Sequence, residues 1–220
     1  MNQIIRRHKN LFIIAGTLFA ISIVFNISML IRINKYKYKV GTESYNYIEN
    51  IRALNKSSLD LITSAIDIGS IENMEILKLY ENYNNISTNN INLWNEYLYY
   101  QDNSHLIMKI KEVSTDESIL NNVDEKIALF FTNILEEEMK TQTYKLVIED
   151  HILEQFLQIQ NLCKDIDEYY TKFYDENLKG AVQEEKKKKI ISKYYWIDIL
   201  DGINRINKKY IDVEFSLQGN

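Results

Sequence analysis

Residues 11–31 read LFIIAGTLFAISIVFNISMLI, twenty-one positions without a charge, in which Thr17, Ser22, Asn26 and Ser28 are the only polar members. As a helix rising 1.5 Å per residue this run covers about 31 Å, the thickness of a bilayer's hydrocarbon core. It predicts a transmembrane helix. A cleaved signal peptide is the rival, because Arg6, Arg7 and Lys9 precede the run. The run exceeds the usual 7–15 apolar residues of such a peptide, and no small-x-small cleavage pattern follows. Cys163 lies too far downstream to serve as a lipobox cysteine. An uncleaved signal anchor is therefore expected.

Within the run, Gly16 and Ala20 form a small-xxx-small pair, and Asn26 is able to hydrogen-bond across a helix pair in lipid. These three are the candidate residues for association with a second membrane helix, although such letters also occur by chance in many single spans. Orientation is less well specified. Three basic residues precede the span and four follow it, so the positive-inside rule does not decide. A ten-residue basic tail ahead of a long C-terminal part is the usual layout of an N-inside anchor, which predicts that the soluble part lies outside the cytoplasm.

Working outward, the chain divides into a basic tail (1–10), the span (11–31), a basic juxtamembrane segment (32–43) and a helical domain (44–220). Seven of the 26 Lys and Arg residues stand in positions 1–40, where no acid occurs, so residues 41–220 hold 19 basic against 31 acidic residues. A surface that negative repels a phosphate backbone, so nucleic acid is not an expected partner. Positively charged partners fit better.

The 220 residues include no Pro, 6 Gly and 1 Cys. Few residues are left for the tight turns of a many-stranded domain, and a single thiol makes neither an internal disulfide nor a thiolate metal site. An all-α chain is expected, held by packing alone. From Ser44 the spacing is nearly heptad, through Tyr47, Ile51, Leu54, Leu61, Ala65 and Ile68, with Ser58 interrupting it. Gly69 suits a helix end, and Ser70 is placed to cap the next helix. That second helix continues through Leu77, Tyr80, Ile91, Trp94 and Leu98, with a break or bend expected near 84–90 where Asn84, Asn85, Asn89 and Asn90 crowd together. A segment from His105 to Val113 either extends it or forms its own turn.

Ser114 with Glu117 reads as a capping box opening a third helix, whose buried face is Leu120, Val123, Ile127, Phe130, Phe131 and Ile134. The period then runs through Tyr144, Ile148, Ile152, Ile159, Leu162, Ile166, Tyr169 and Phe173 to Gly180. One helix of that length is far above the common range, so a break is expected near Lys140 to Thr143. A last helix carries Ile190, Tyr194, Ile197, Leu200, Ile203 and Ile206, with Gly202 weakening it. Residues Tyr210 to Phe215 alternate as a short strand or a fraying end would. The expected architecture is one N-terminal transmembrane helix followed by a helical bundle or an elongated coiled-coil-like helical domain.

Chemistry is nearly absent from this pattern. With His8, His105 and His151 as the only histidines, a di-iron bundle with two Glu-x-x-His pairs is impossible. His151 and Glu154 read as a surface i,i+3 pair, and the acidic runs 136–138 and 165–168 as solvated faces. Lys186 to Lys189 read as i,i+4 partners of Glu184 and Glu185. Clusters at Tyr97, Tyr99 and Tyr100, at Tyr169, Tyr170 and Tyr174, and at Tyr194, Tyr195 and Trp196 would offer partner contact if exposed. No phosphate loop, nucleophile elbow or zinc motif is present, so no enzymatic activity, cofactor or metal is expected. The function expected is protein–protein interaction, as an accessory or scaffold subunit among the membrane or envelope proteins of a bacterium, with self-association left open. The alternative is a ligand-sensing helical bundle outside the cytoplasm that signals through a membrane partner.

Overall fold

The computed structural model describes residues 2–104, 111, 113 and 123–217. The protein is all-α: α1 (Asn2–Ile68), α2 (Asn73–Ser104), α3 (Val123–Thr141), α4 (Asp150–Asn177), α5 (Gln183–Ser192) and α6 (Tyr195–Asn207) carry nearly all of it. Two three-residue strands, β1 (Ser70–Glu72) and β2 (Lys145–Val147), pair antiparallel, with Ile71 opposite Leu146. The chain divides into two compact units, one ending at Val40 and the other beginning at Gly41.

In the first unit, every residue from Phe12 to Arg32 is exposed. An 18-residue window there has a mean hydropathy of 2.2, long and apolar enough to cross a membrane.

The second unit is an antiparallel bundle, not a rod. Its α1 seam is Ser44, Ile48, Ile51, Asn55, Ser58, Ile62 and Ala65, all buried at alternating steps of four and three. Only Ile51 and Ala65 of the expected stripe belong to it, while Ile68 is exposed. The true seam includes three polar residues, which an apolar-letter count passes over. Ser58, expected to interrupt the stripe, accepts a hydrogen bond from Asn82 Nδ2 at 3.1 Å, and Asn55 Nδ2 donates to the Cys163 carbonyl at 2.9 Å. Small side chains let the helices approach, and paired amides remove the penalty of burying them.

Three side-chain bonds set the register of α1 against α4. Tyr170 donates to the Ile48 carbonyl (3.2 Å), Asn55 to Cys163, and Gln160 to Thr63 Oγ1 (3.0 Å), so one number climbs as the other falls. Helix α2 is unbroken from Asn73 to Ser104, which overturns the break expected near 84–90. Asn84 and Asn85 point to solvent, and their carbonyls take Thr88 Oγ1 and Asn89 Nδ2 along the same helix, while Asn90 donates across to Asp124 on α3. The buried stripe is Ile76, Leu79, Tyr83, Ile86, Leu93, Tyr97 and Tyr100, one residue before the expected Leu77, Tyr80, Trp94 and Leu98, while the expected Ile91 is exposed.

The expected face of the third helix is found in α3, where Val123, Ile127, Phe130, Phe131 and Ile134 are at most 1% exposed. The capping box at Ser114, together with Leu120, lies outside the described residues, as does the segment from His105 apart from positions 111 and 113. The expected break is present: α3 stops at Thr141, and Gln142 turns the chain at φ 56° without a Gly. Phe130, Phe131 and Phe156 pack with ring centroids 5.4–6.3 Å apart, and Phe215 closes on Phe130 at 6.3 Å. Residues 211–216 thus run as irregular chain over the core and form no strand.

The segment after Gly180 is two helices, not one. Tyr194, at φ 56°, breaks the run and redirects it into α6. Helix α6 packs against α2 and α4, with Trp196 edge-on to Tyr100 at 5.7 Å. Gly202 is where α6 meets Tyr169: a Cβ there would stand 2.0 Å from the ring's Cζ. The glycine therefore trades helix propensity for the seat of a ring whose hydroxyl donates to the Asp198 carbonyl at 2.8 Å.

Candidate functional site

Gly16, Ala20 and Asn26 all stand exposed on α1. Gly16 and Ala20 lie one turn apart on one face, with open space where a Gly16 Cβ would be. Asn26 is six residues beyond Ala20, about 120° around the axis, so the three do not share a stripe. Its Nδ2 reaches Ser22 Oγ at 3.5 Å, and Thr17 Oγ1 donates to the Ile13 carbonyl at 2.9 Å. Bonds of this kind within a helix satisfy polar side chains in an apolar surrounding.

The other sequence candidates are mostly tied into the bundle. His151 Nδ1 is 3.6 Å from Glu154, while Nε2 sits 3.1 Å from the Ser216 carbonyl and helps hold the C-terminal segment. In the acidic runs, Glu138 is buried and accepts the Thr143 hydroxyl, and Asp165 pairs with Lys209 at 2.9 Å. Lys186 and Lys187 lie over the rings of Tyr174 and Tyr45. Tyr97, Tyr100, Tyr170, Tyr174 and Trp196 are buried, so these clusters are core, not an exposed aromatic patch. Among the described residues no group of three His, Cys, Asp or Glu side chains is placed to hold a metal ion.

A buried titratable group lies deeper. The Tyr83 hydroxyl is 3.0 Å from Cys163 Sγ, and burial drives the phenol well above its usual pKa and the thiol up to about 12. Asp124, in the first turn of α3, accepts Asn90 Nδ2 at 2.7 Å and a second bond from Asn207. Burial outweighs both amides and raises its pKa to about 6. A fully buried thiol held protonated is a poor nucleophile.

The surface that stands out is the end of the bundle where four helix termini meet β1 and β2. The Ile148 amide donates to the Gly69 carbonyl (3.0 Å), the Asn73 amide to the Tyr144 carbonyl (3.1 Å), and Asn73 Nδ2 to the Thr143 carbonyl (2.9 Å). At the start of α2 the Glu72 amide donates to Glu75 Oε2 at 3.2 Å, half of a capping box, where Ser70 had been expected to cap. Ser70 is instead a strand residue paired with Val147.

Around these bonds stand five large apolar side chains that the fold leaves in water: Ile68 (67% exposed), Met74 (73%), Met139 (69%), Tyr144 (83%) and Val147 (56%). Ile71 and Leu146 occupy the inner face of the strand pair, so Val147, Lys145, Ser70 and Glu72 occupy the outer one. Asp67, Glu72, Glu136, Glu137, Glu149 and Asp150 are exposed around them, against Lys140 and Lys145. Of the five described residues with positive φ, three are here: Gly69 (75°), Gln142 (56°) and Asp150 (46°). Asn73 Oδ1 is buried without a hydrogen-bond partner. Gln142 and Asp150 hold a left-handed backbone that costs a non-glycine residue energy, whereas Gly69 adopts it freely.

This end is hidden in the sequence because Ile68 and Tyr144 fall on helical apolar stripes, a spacing that predicts burial, whereas both are exposed. Two signals pointed to it: the Gly69-Ser70 breaker and the Thr141-Gln142-Thr143 break face each other across the bundle's antiparallel order. No protein-family model matches the chain, and neither does any curated protein or any solved structure.

Proposed function

We propose that the protein is a single-pass membrane-anchored bundle, exposed outside a bacterial cytoplasm, that docks another envelope protein on the apolar end formed by Ile68, Met74, Met139, Tyr144 and Val147. The carrying observation is that five large apolar residues stay in water around a strained, closely bonded turn region. Supporting the anchor is the charge-free, fully exposed run of α1. The acidic surround selects the partner's chemistry: an apolar contact ringed by Lys and Arg is drawn in, whereas a second copy of the same end is repelled. A photo-crosslinking amino acid at Tyr144 of the full chain in cells is expected to give an adduct of defined mass. That adduct is lost with Val147→Asp and weakened with Glu136→Lys/Glu137→Lys, while the same probe at exposed Tyr99 on α2 gives none. Equal adducts at both positions, or an adduct indifferent to the charge reversals, would refute the reading.

Sidedness is tested through the thiol. Cys163 is fully buried and held protonated, so it is expected to react with maleimide only after denaturation. A Cys163→Ala/Lys179→Cys chain carries its thiol on an exposed position, and an impermeant maleimide is expected to label it in intact cells. Labelling only after lysis would put the domain in the cytoplasm.

A further inference from the structure

A second site lies far along α4 from the strand pair and does not depend on the docking reading. Helices α4 and α6 leave an open cleft of about 390 Å³ between them, at the small end of the range for ligand pockets and set between bundle helices, a common place for such sites. Its floor is apolar: the Tyr169 ring seated on Gly202, with Phe173 and Ile206 beside it.

The charges at its rim are not equivalent. Arg205 is engaged by Asp201 at 3.1 Å and Lys209 by Asp165 at 2.9 Å. Lys172 and Glu176, both exposed and lining the cleft, carry no ion pair among the described residues. They stand at i,i+4 on α4, about 6 Å apart at Cβ, with the lysine first, which is the less favourable order for pairing with each other. The cleft therefore offers one open cation and one open carboxylate side by side above an apolar floor. A simple anion would meet Glu176 and a simple cation Lys172. A molecule carrying both charges on one carbon satisfies the two together.

We propose that this cleft binds a free α-amino acid with an apolar side chain, the carboxylate on Lys172, the ammonium on Glu176 and the side chain against Tyr169 and Phe173. Each charge-assisted contact is worth about a factor of ten in affinity.

The test is equilibrium dialysis of labelled L-phenylalanine and L-leucine against the full chain in nanodiscs. The expected result is saturable binding, with 3-phenylpropionate (no ammonium) and phenethylamine (no carboxylate) each at least tenfold weaker. Lys172→Gln and Glu176→Gln, both solvent-exposed changes, are each expected to lose about tenfold with an unchanged melting temperature. Absence of saturable binding overturns the proposal. So does 3-phenylpropionate binding as well as L-phenylalanine, which would mark a plain anion site, or affinity unmoved by either variant.

Discussion

Replacing Asp124 with Asn is expected to stabilise the protein at pH 7.5 by as much as about 3 kcal/mol, the equivalent of a carboxyl raised from 3.8 to about 6. For a chain of this size that is roughly 5–10 °C in melting temperature. The direction follows from linkage. A carboxyl whose folded pKa is raised holds its proton more tightly in the native state, so it lowers stability as pH rises from about 4 to about 6 and imposes the full penalty above that. The Asn variant has no proton to lose at this site. The difference between wild-type and variant melting temperatures is therefore expected to grow from near zero at pH 4 to a plateau above pH 6.5. The variant also keeps the bonds in reach, because an Asn oxygen accepts one of the two amides and its nitrogen is able to donate to Asn90 Oδ1 or Asn207 Oδ1, both buried without partners. A variant less stable at pH 7.5 would mean that the amides and the α3 N-terminus hold the carboxylate ionised against burial.

Trp196→Ala is expected to lower stability by about 3–5 kcal/mol, enough to unfold a marginal domain at 37 °C. Trp196 is 1% exposed and seats α6 on Tyr100 of α2. The control is Trp94→Phe on the half-buried side of α2, expected to change stability by less than about 1 kcal/mol. Thermal unfolding of the full chain in detergent, followed by circular dichroism, reads both. A Trp196 variant melting within a few degrees of wild type would show that α6 is an accessory to the bundle and not one of its walls.

How far the sequence carried the fold depends on where its letters were unambiguous. The α3 face was read correctly because Val123, Ile127, Phe130, Phe131 and Ile134 are all large and apolar, and burial demanded just those. The seams of α1 and α2 were misread for the opposite reason. Asn55, Ser58 and Asn82 are buried because partners on neighbouring helices complete their hydrogen bonds, while Ser44 is a small side chain buried with its hydroxyl unpaired, and a periodicity built on apolar letters shifts to the next candidate. The break at Gln142 was placed from length alone, since a left-handed turn at a non-glycine leaves no letter to find. Neither the apolar end nor the cleft was seen beforehand. Both arise from residues distant in sequence, such as Gly69 with Ile148 or Tyr169 with Gly202, which only the antiparallel pairing joins.

The polar seam of α1 has a bearing on synthesis. Asn55 and the carbonyl it grips are 108 residues apart, and translation at about 5–20 residues per second leaves the α1 seam waiting roughly 5–20 s for α4 to emerge. During that interval the seam lies close behind a membrane-length apolar run on the same helix. A wait next to lipid would draw a continuous Leu and Ile face into the bilayer or against another nascent chain. Ser44, Asn55 and Ser58 break that face at three of its seven seam positions, which lowers the apolar surface the waiting helix offers to lipid or to another chain before its own partner arrives.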